Sequence, residues 1–308
     1  MGGCRMAFLY MLENIRVPVL NEFMLAVTYL GDEIAFLVTA LILIWCADKR
    51  TGYYVLSVGF LGTIANQFMK LWFRIPRPWV LDENFTILEQ AREGASGYSF
   101  PSGHTQSSVG TFGAIAYTTK YKVLRWLCIA AVILVPFSRM YIGVHTPLDV
   151  GVAALMAAVL IFVLKPIILG KNPRVFPVFL GIMVAVSVAF LCFVEFYPFP
   201  ADIDPHNMAS GLKNAYALIG SLLGLVAVYI VDEKWLHFPT KAVWWAQIIK
   251  VVVGLGLVLA VKSGMKAPLE AVFGELAGRA VRYFMIVVVA GIVWPLTFKW
   301  FAKLGNKE

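Results

Sequence analysis

Side chains that could do chemistry fall in three short clusters, each at the edge of an apolar stretch. The first cluster combines the cations Lys70 and Arg77 with Pro76 and Pro78, which end a helix. A guanidinium presents a planar fork that binds two oxygens of an oxyanion, and an ammonium adds a point charge. Taken alone, these cations are more simply interpreted as side chains that extend toward lipid headgroups.

The second cluster is Pro101-Ser102-Gly103-His104, directly before an apolar run. Proline and glycine predict a tight turn. Ser102 and the first free N–H groups of the following helix could then bind an anion, aided by the helix dipole. His104 is placed where it could give a proton to a leaving group. An N-cap serine followed by a surface histidine explains this cluster about equally well.

The third cluster extends from Arg139, a further cation for an oxyanion, to Asp149. Thr146 is predicted to be an N-cap, Pro147 the first helical residue and Asp149 the third. His145 then lies just ahead of the helix, with the Asp149 carboxylate close by. A carboxylate that accepts one ring N–H leaves the other nitrogen free to attack. Asp149 also fits a capping box, and the two roles are compatible.

The elements that carry these clusters are strongly apolar. Of the 308 residues, 60% are hydrophobic and 14% are charged, and the mean hydropathy is +0.78. A soluble domain would have about 25% charged residues. The composition therefore excludes a soluble enzyme, a disordered chain and a nucleic-acid-binding domain, despite the net charge of +8. Because the apolar stretches are continuous, we predict an all-α, polytopic transmembrane helical bundle rather than a β-barrel.

The length of the apolar stretches sets the predicted architecture. We expect residues 1–30 to be an N-terminal interfacial lead-in, residues 31–170 a core that carries the three clusters, and residues 171–308 a C-terminal extension of about four spans. Residues 263–280 mix charged and apolar side chains and predict a helix that lies on the membrane. About nine spans are predicted, at residues 31–47, 53–73, 104–119, 123–138, 147–168, 175–195, 211–231, 243–262 and 281–302.

The distribution of basic residues predicts the topology. They are most in excess over acidic residues in short loops on one side of the spans, for example at Lys49-Arg50 and at Lys171. The positive-inside rule makes that side cytoplasmic. The N-terminus and all three clusters would then lie outside and the C-terminus inside. Because loops and termini are short, we expect the plasma membrane of a bacterium.

Together, the clusters place three cations, two histidines, one carboxylate and one helix N-terminus on one predicted face. That set favours phosphate-ester chemistry, in which the cations neutralise charge as a metal ion does elsewhere. We therefore expect no cofactor and no metal. Asp202, Asp204 and His206 have some likeness to metal ligands. Without a fourth ligand, a solvated turn is the simpler interpretation.

Here the chain resembles the type-2 phosphatidic acid phosphatase family, whose superfamily also contains vanadium haloperoxidases, bacterial acid phosphatases and glucose-6-phosphatase. The resemblance covers roughly residues 20–170. The signature is K-x6-R-P, then P-S-G-H, then S-R-x5-H-x3-D, and every position is filled: Lys70, Arg77, Pro78, Pro101, Ser102, Gly103, His104, Ser138, Arg139, His145 and Asp149.

The resemblance implies a role for each residue at the site. His145 would be the nucleophile that forms a phosphohistidine, and Asp149 would orient and polarise it. His104 would protonate the leaving oxygen and then activate water. The residues alone leave open which histidine attacks. The phosphoryl oxygens would be held by Lys70, Arg77, Ser102, the Gly103 amide and Arg139.

We expect an integral membrane phosphatase that hydrolyses lipid phosphate monoesters or polyprenyl or lipid diphosphates on the extracytoplasmic face. Its partners would be a phosphorylated lipid substrate and membrane lipids, and no nucleic acid. One alternative is a phosphatase of a soluble sugar phosphate, similar to glucose-6-phosphatase. Another is a non-catalytic phospholipid-binding or transport protein. Binding needs only the cations, so the two histidines and Asp149 argue against it. A haloperoxidase fits least, because those relatives are soluble.

Overall fold

Helices make up the architecture, which confirms the all-α prediction. The computed structural model describes residues 2–304 apart from residues 93 and 96, with side chains from residue 6 onward, and that part of the chain contains no strand. The helices are α1 (Gly2–Asn14), α2 (Pro18–Thr28), α3 (Glu33–Ile42), α4 (Lys49–Phe73), α5 (Pro78–Leu81), α6 (Gly103–Thr118), α7 (Lys122–Tyr141), α8 (Pro147–Leu169), α9 (Val175–Phe196), α10 (Pro205–Val231), α11 (Trp244–Gly264), α12 (Lys266–Phe273), α13 (Glu275–Val288) and α14 (Phe298–Phe301).

Among the described residues, six helices are long and apolar enough to cross a membrane. They are Lys122–Tyr141, Pro147–Leu169, Val175–Phe196, Pro205–Leu236, Trp244–Gly264 and Glu275–Phe301. A seventh span is possible if the pair Pro18–Gly31 and Glu33–Ala47, bent by 55°, crosses as one. These helices support an integral membrane protein, but the predicted count of about nine spans is not confirmed.

The other predicted spans also form helices, but these differ from the six. Helix α6 has 16 residues, fewer than the roughly 20 that the hydrocarbon core requires. Helix α4 has 25 residues but includes polar side chains such as Ser57, Asn66 and Gln67. Both segments are helices, and neither is among the six helices that are long and apolar enough to cross.

The C-terminal part differs from the prediction at one turn. The chain breaks at Gly274, where φ is +78°, and a new helix begins at Glu275. The last apolar helix therefore starts earlier than the predicted residue 281. Only the short α12 remains as a separate helix in the region that was expected to lie on the membrane.

Close contacts divide the chain into two compact units. Unit 1 comprises the residues up to Leu37, Tyr54–Pro166 and Pro200–Gly211, and unit 2 comprises Val38–Tyr53, Ile167–Phe199 and the residues from Leu212 onward. In unit 1, α7 packs on α1, α2 and α6. The buried core there is formed by Met24, Leu25, Ala91, Ala95, Tyr141, Ile142 and Val144.

The N-terminal helices fasten the loop of residues 82–102 to unit 1. The Tyr10 hydroxyl donates to Asp82 Oδ2 at 2.8 Å. Arg16 donates from Nε to the Tyr141 carbonyl at 3.0 Å and from Nη1 to the Thr86 carbonyl at 2.8 Å. Leu9 is buried between side chains of the same loop. The inner faces of α1 and α2 therefore hold the loop in place. This role does not depend on whether their outer faces lie at the membrane interface.

Unit 2 contains a buried lysine within an apolar helix. Lys250 of α11 is 0% exposed, and its Nζ donates to the Trp45 carbonyl at 2.6 Å and to the Thr240 carbonyl at 3.0 Å. The ammonium also lies 4.2 Å from the ring centroid of Phe298. The backbone carbonyl of Lys250 in turn accepts a hydrogen bond from Trp294 Nε1 at 2.9 Å. A charge inside an apolar helix is energetically costly. The two carbonyls and the Phe298 ring must therefore stabilise the Lys250 ammonium together.

We expect Lys250→Met to lower the free energy of unfolding by about 1–3 kcal/mol, since buried carbonyls lose their donor. Thermal unfolding of the detergent-purified protein would measure the change. Lys262→Met, in the half-buried last turn of the same helix, is the matched control. An unchanged unfolding midpoint for Lys250→Met would contradict this interpretation.

Candidate active site

All eight residues predicted for the site lie in unit 1. Four helix ends carry them: the C-terminal ends of α4 and α7 and the N-terminal ends of α6 and α8. Six of the eight side chains are buried, although five of those are charged or titratable. The predicted residues are Lys70, Arg77, Ser102, Gly103, His104, Arg139, His145 and Asp149.

The turn between α7 and α8 positions the third cluster. Gly143 has a φ of +88°, and a Cβ there would lie 2.8 Å from Nη2 of Arg16. Thr146 N–H donates to Asp149 Oδ2 at 2.7 Å, and Asp149 N–H donates to Thr146 Oγ1 at 3.4 Å. This is the predicted capping box, and α8 begins at Pro147 as predicted.

Arg77 fixes the protonation state of His145. Its Nη1 lies 3.0 Å from His145 Nε2 and 3.0 Å from the Val144 carbonyl, and its Nε donates to the Gly97 carbonyl at 3.1 Å. A guanidinium can only donate, so Nε2 must be the acceptor and the neutral ring carries its proton on Nδ1. Burial, followed by the charges of Arg77 and Arg139, lowers the pKa of His145 well below its usual range. The ring is therefore neutral, with the Nε2 lone pair available.

Asp149 contacts His145 less directly than the sequence suggests. Asp149 Oδ2 lies 3.6 Å from His145 Nδ1, which is too long for a hydrogen bond. Between them, Ser99 Oγ donates to Asp149 Oδ2 at 2.6 Å and lies 3.5 Å from His145 Nδ1. The buried Ser99 hydroxyl therefore joins the carboxylate to the imidazole.

Backbone groups hold Lys70 and Ser102 of the first two clusters in place. Lys70 Nζ donates to the Tyr98 carbonyl. Ser102 caps α6 by accepting from Thr105 N–H at 3.4 Å, and its own N–H donates to the Asp149 carbonyl at 3.1 Å. Gly103 follows as the first residue of α6. The second cluster is thus bonded to the third, as phosphate binding by both would require.

Arg139 is buried with only part of its hydrogen-bonding capacity used. Its Nη1 donates to Thr28 Oγ1 at 2.6 Å. Its Nε and Nη2 are buried and have no hydrogen-bond partner among the residues that the structure describes. Unpaired N–H groups of a buried guanidinium are costly, so they indicate a place for an anionic ligand.

His104 has a partner that the sequence analysis did not identify. Its Nε2 lies 2.6 Å from Asp32 Oδ1. The sequence analysis also missed Ser99 and Thr28. Ser99 could have been suspected from its place three residues before Ser102, but no spacing rule links the chain around Asp32 to His104.

The Asp202, Asp204 and His206 segment supports the simpler interpretation. Asp204 Oδ1 accepts from Asn207 N–H at 2.8 Å and so caps the start of α10. No group of three or more His, Cys, Asp or Glu side chains is arranged to hold a metal ion within the part of the chain that the structure describes. A capped, solvated turn accounts for this segment.

Comparison with known proteins decides the family. The family model of the PAP2 superfamily matches residues 50–173, which include all three clusters, and that of the PAP2 superfamily phosphatase, transmembrane extension, matches residues 216–307. Phosphatidylglycerophosphatase B of Bacillus subtilis is 30% identical over 165 residues, which are 49% of this chain and 76% of that protein. The chain belongs to the PAP2 superfamily.

Two further relatives of this PAP2 superfamily chain have the same level of identity. Undecaprenyl-diphosphatase BcrC of Bacillus subtilis is 30% identical over 149 residues, 46% of this chain and 72% of that protein. Undecaprenyl-diphosphatase of Sulfolobus acidocaldarius is 30% identical over 136 residues, 44% of this chain and 64% of that protein. The predicted family is confirmed, and the chain is a membrane phosphatase of this superfamily.

We expect Ser99→Ala to lower kcat by about 10- to 100-fold with little change in KM. This corresponds to the ~1.5–3 kcal/mol of a hydrogen bond to a charged group. The reason is that Ser99 contacts Asp149 rather than a phosphate site. Steady-state phosphate release would measure the effect, with Ser107→Ala on α6 as the matched control. A change in KM alone would contradict the bridging role.

Proposed function

We propose that this protein hydrolyses phosphate monoesters or diphosphates of lipids through a phosphohistidine on His145. The observation that carries the proposal is the buried guanidinium of Arg139, with its unpaired Nε and Nη2. Its charge acts on His145, whose Nε2 already accepts from Arg77. A phosphoryl group has enough oxygens to satisfy both guanidinium groups at once.

The first half of the reaction transfers the phosphoryl group to the enzyme. The Nε2 lone pair of His145 forms a bond to phosphorus, and the bond from phosphorus to the leaving oxygen breaks. His104 gives its proton to that oxygen. Lys70, Arg77 and Arg139, with Ser102 and the Gly103 amide, hold the phosphoryl oxygens as charge develops on them. The proton on Nδ1 of His145 remains bonded toward Ser99 and Asp149.

The second half restores the enzyme. His104, now neutral, takes a proton from water, and the water oxygen attacks phosphorus. The bond between phosphorus and Nε2 of His145 breaks, and inorganic phosphate leaves. The cations stabilise the negative charge that a metal ion would otherwise neutralise, so the reaction needs no metal ion.

The proposed substrate class is a lipid because of where the site lies. The site is built at four ends of helices in a membrane protein, where a headgroup and its acyl chains can both be accommodated. The names of the relatives denote a phosphatidylglycerophosphatase and undecaprenyl-diphosphatases. These names support lipid phosphate monoesters and lipid diphosphates equally as the substrate class.

The proposed topology has the site outside, with the N-terminus outside and the C-terminus inside. The argument is the excess of basic over acidic residues in the opposite loops. In this arrangement α3, α4 and α6 also cross, which makes about nine spans. Residues 31–170 form the phosphatase core, and residues 171–308 form the extension, in a bacterial plasma membrane.

The phosphohistidine has a direct test. We expect His145→Ala to abolish turnover without loss of folding. We expect His104→Ala to accumulate protein-bound phosphate from p-nitrophenyl phosphate. The aryl oxygen can leave without being protonated, so the first step proceeds, but the second step is slow because no base activates the attacking water. The bound phosphate should be labile to acid and stable to base. His206→Ala, in the first turn of α10, is the matched control. Full activity of His145→Ala would exclude His145 as the nucleophile.

The substrate class is tested by phosphate release in detergent with EDTA present. Phosphatidate of increasing acyl length, undecaprenyl diphosphate and glucose 6-phosphate would be compared. We expect the long-chain lipids to exceed glucose 6-phosphate in kcat/KM by at least about tenfold, because the chains add apolar contact. We also expect vanadate to inhibit as a transition-state mimic.

Three outcomes of that comparison would contradict the proposal. Preference for glucose 6-phosphate would indicate a sugar phosphatase. Vanadate binding without turnover of any substrate would indicate a binding or transport protein. Strong inhibition by EDTA would contradict a reaction that needs no metal.

A further inference from the structure

The corner between α2 and α3 forms one wall of the site. Thr28, the last residue of α2, accepts the hydrogen bond from Arg139 Nη1 at 2.6 Å. Asp32, which directly precedes α3, holds the ring of His104 at 2.6 Å. Two separate site residues are therefore fastened to one short segment of chain that none of the signature motifs includes.

Close packing fixes the position of this corner. A Cβ on Gly31 would lie 2.9 Å from both the Cβ and the carbonyl oxygen of His104, and 2.9 Å from a side-chain carbon of Val135. The backbone at Gly31 thus touches the first turn of α6 with no space between. The backbone of Asp32, one residue later, is therefore held beside His104.

The Asp32 carboxylate has no other task in the described structure. An aspartate directly ahead of a helix usually accepts from the first backbone N–H groups of that helix. Here Phe36 N–H of α3 donates to the backbone carbonyl of Asp32, at 3.1 Å, and not to its side chain. The side chain is 36% exposed and contacts His104 Nε2 instead.

The charges around His104 show why a carboxylate matters there. Burial is the largest influence against the protonated ring, and the charged groups that act on the ring are Arg139 of α7, Arg77 of the loop after α4, and Asp32. Against these two cations, Asp32 is the one carboxylate that stabilises the protonated ring. A general acid must carry its proton when the substrate is bound, so the neighbouring cations alone would disfavour the required form.

We propose that Asp32 is a positioning residue that makes His104 the acid and the base of the reaction. The proposal rests on the proposed function, and it adds a second histidine–carboxylate pair to the site. Asp32 accepts from Nε2 of His104, which leaves Nδ1 as the atom that exchanges protons with the substrate.

The proton balance follows from this arrangement. In the first step the doubly protonated ring gives its Nδ1 proton to the leaving oxygen, while Nε2–H stays bonded to Asp32. The neutral ring then has its lone pair on Nδ1. In the second step Nδ1 takes a proton from the attacking water, and the doubly protonated ring is restored. Asp32 remains ionised throughout.

The test compares substrates whose leaving groups differ in their need for a proton. Wild type and Asp32→Asn would be assayed with dioctanoyl phosphatidate, which has an alkyl leaving oxygen, and with p-nitrophenyl phosphate. We expect Asp32→Asn to lower kcat/KM about 10- to 100-fold for phosphatidate and less than about threefold for the aryl ester. The parameter kcat/KM is chosen because it covers only the steps up to departure of the leaving group.

The controls separate positioning from folding. Asparagine caps helices as well as aspartate does, so Asp32→Asn removes the charge and leaves any capping intact. Glu33→Gln removes the adjacent, exposed carboxylate and should leave both substrates unaffected. Asp32→Glu, which retains a carboxylate, should recover part of the phosphatidate activity. The unfolding midpoint of Asp32→Asn should equal that of the wild type.

A double mutant tests whether Asp32 acts through His104. In a His104→Ala background, Asp32→Asn should cause no further loss of kcat/KM for phosphatidate, since coupled residues are not additive. Equal losses on both substrates, an additive loss in the double mutant, or no loss at all would each overturn the assignment. Failure of the proposed function is a different result: no turnover of either ester by wild type, or full activity of His145→Ala.

Discussion

The hydrogen bond between Arg77 Nη1 and His145 Nε2, at 3.0 Å, is the contact on which the chemistry of the site depends. Because a guanidinium has no lone pair to offer, it dictates that Nε2 carries no proton. The same group would bind the phosphoryl oxygens that approach that lone pair. One residue therefore sets the tautomer of the nucleophile and the position of its target.

The rest of unit 1 makes it possible to bury such a group of cations. Charged side chains without partners are strongly unfavourable in an apolar environment. The protein supplies carbonyls for most of them: Tyr98 for Lys70, and Gly97 and Val144 for Arg77. Two of these carbonyls belong to the 82–102 loop.

The loop can serve in this way only because it is itself held in place. Tyr10 of α1 and Arg16 of the link between α1 and α2 donate hydrogen bonds to it, and Leu88 N–H donates to the Ile142 carbonyl at 3.1 Å. The N-terminal helices lie outside the signature motifs, yet they determine where the carbonyls at the site point. Arg139 is the exception, because its Nε and Nη2 have no hydrogen-bond partner among the described residues, and an anionic substrate would supply one there.

The sequence was a good guide wherever the signal was local. Turn residues and caps placed the starts of α6 and α8 correctly, because Ser102 and Thr146 act within a few residues of their own position. The span count was less certain, since apolar length does not distinguish a crossing helix from a buried one. The turn at Gly274 was missed because a single glycine in an apolar region has several explanations.

Partners from distant parts of the chain could not be predicted. The contact between Asp32 and His104 depends on how α2 and α3 meet the first turn of α6, and nothing in the local sequence around either residue encodes it. The link through Ser99 was missed for a different reason. A separation of four residues predicts that His145 and Asp149 are close, but not that 3.6 Å separates them and a serine hydroxyl joins them.

The two histidines differ in their surroundings in a way that supports different roles. The side chain of His145 is 2% exposed, and its Nδ1 faces Ser99 and Asp149, so only Nε2 is directed at the cations. The side chain of His104 is 19% exposed, and it is Nε2 that is engaged, by Asp32. A nucleophile benefits from enclosure because water cannot compete for its lone pair, whereas a group that protonates a departing lipid and then activates water must be reachable by both. The enclosed ring, with an unprotonated Nε2 that accepts from Arg77, suits attack, and the accessible ring with its Nδ1 away from Asp32 suits proton transfer.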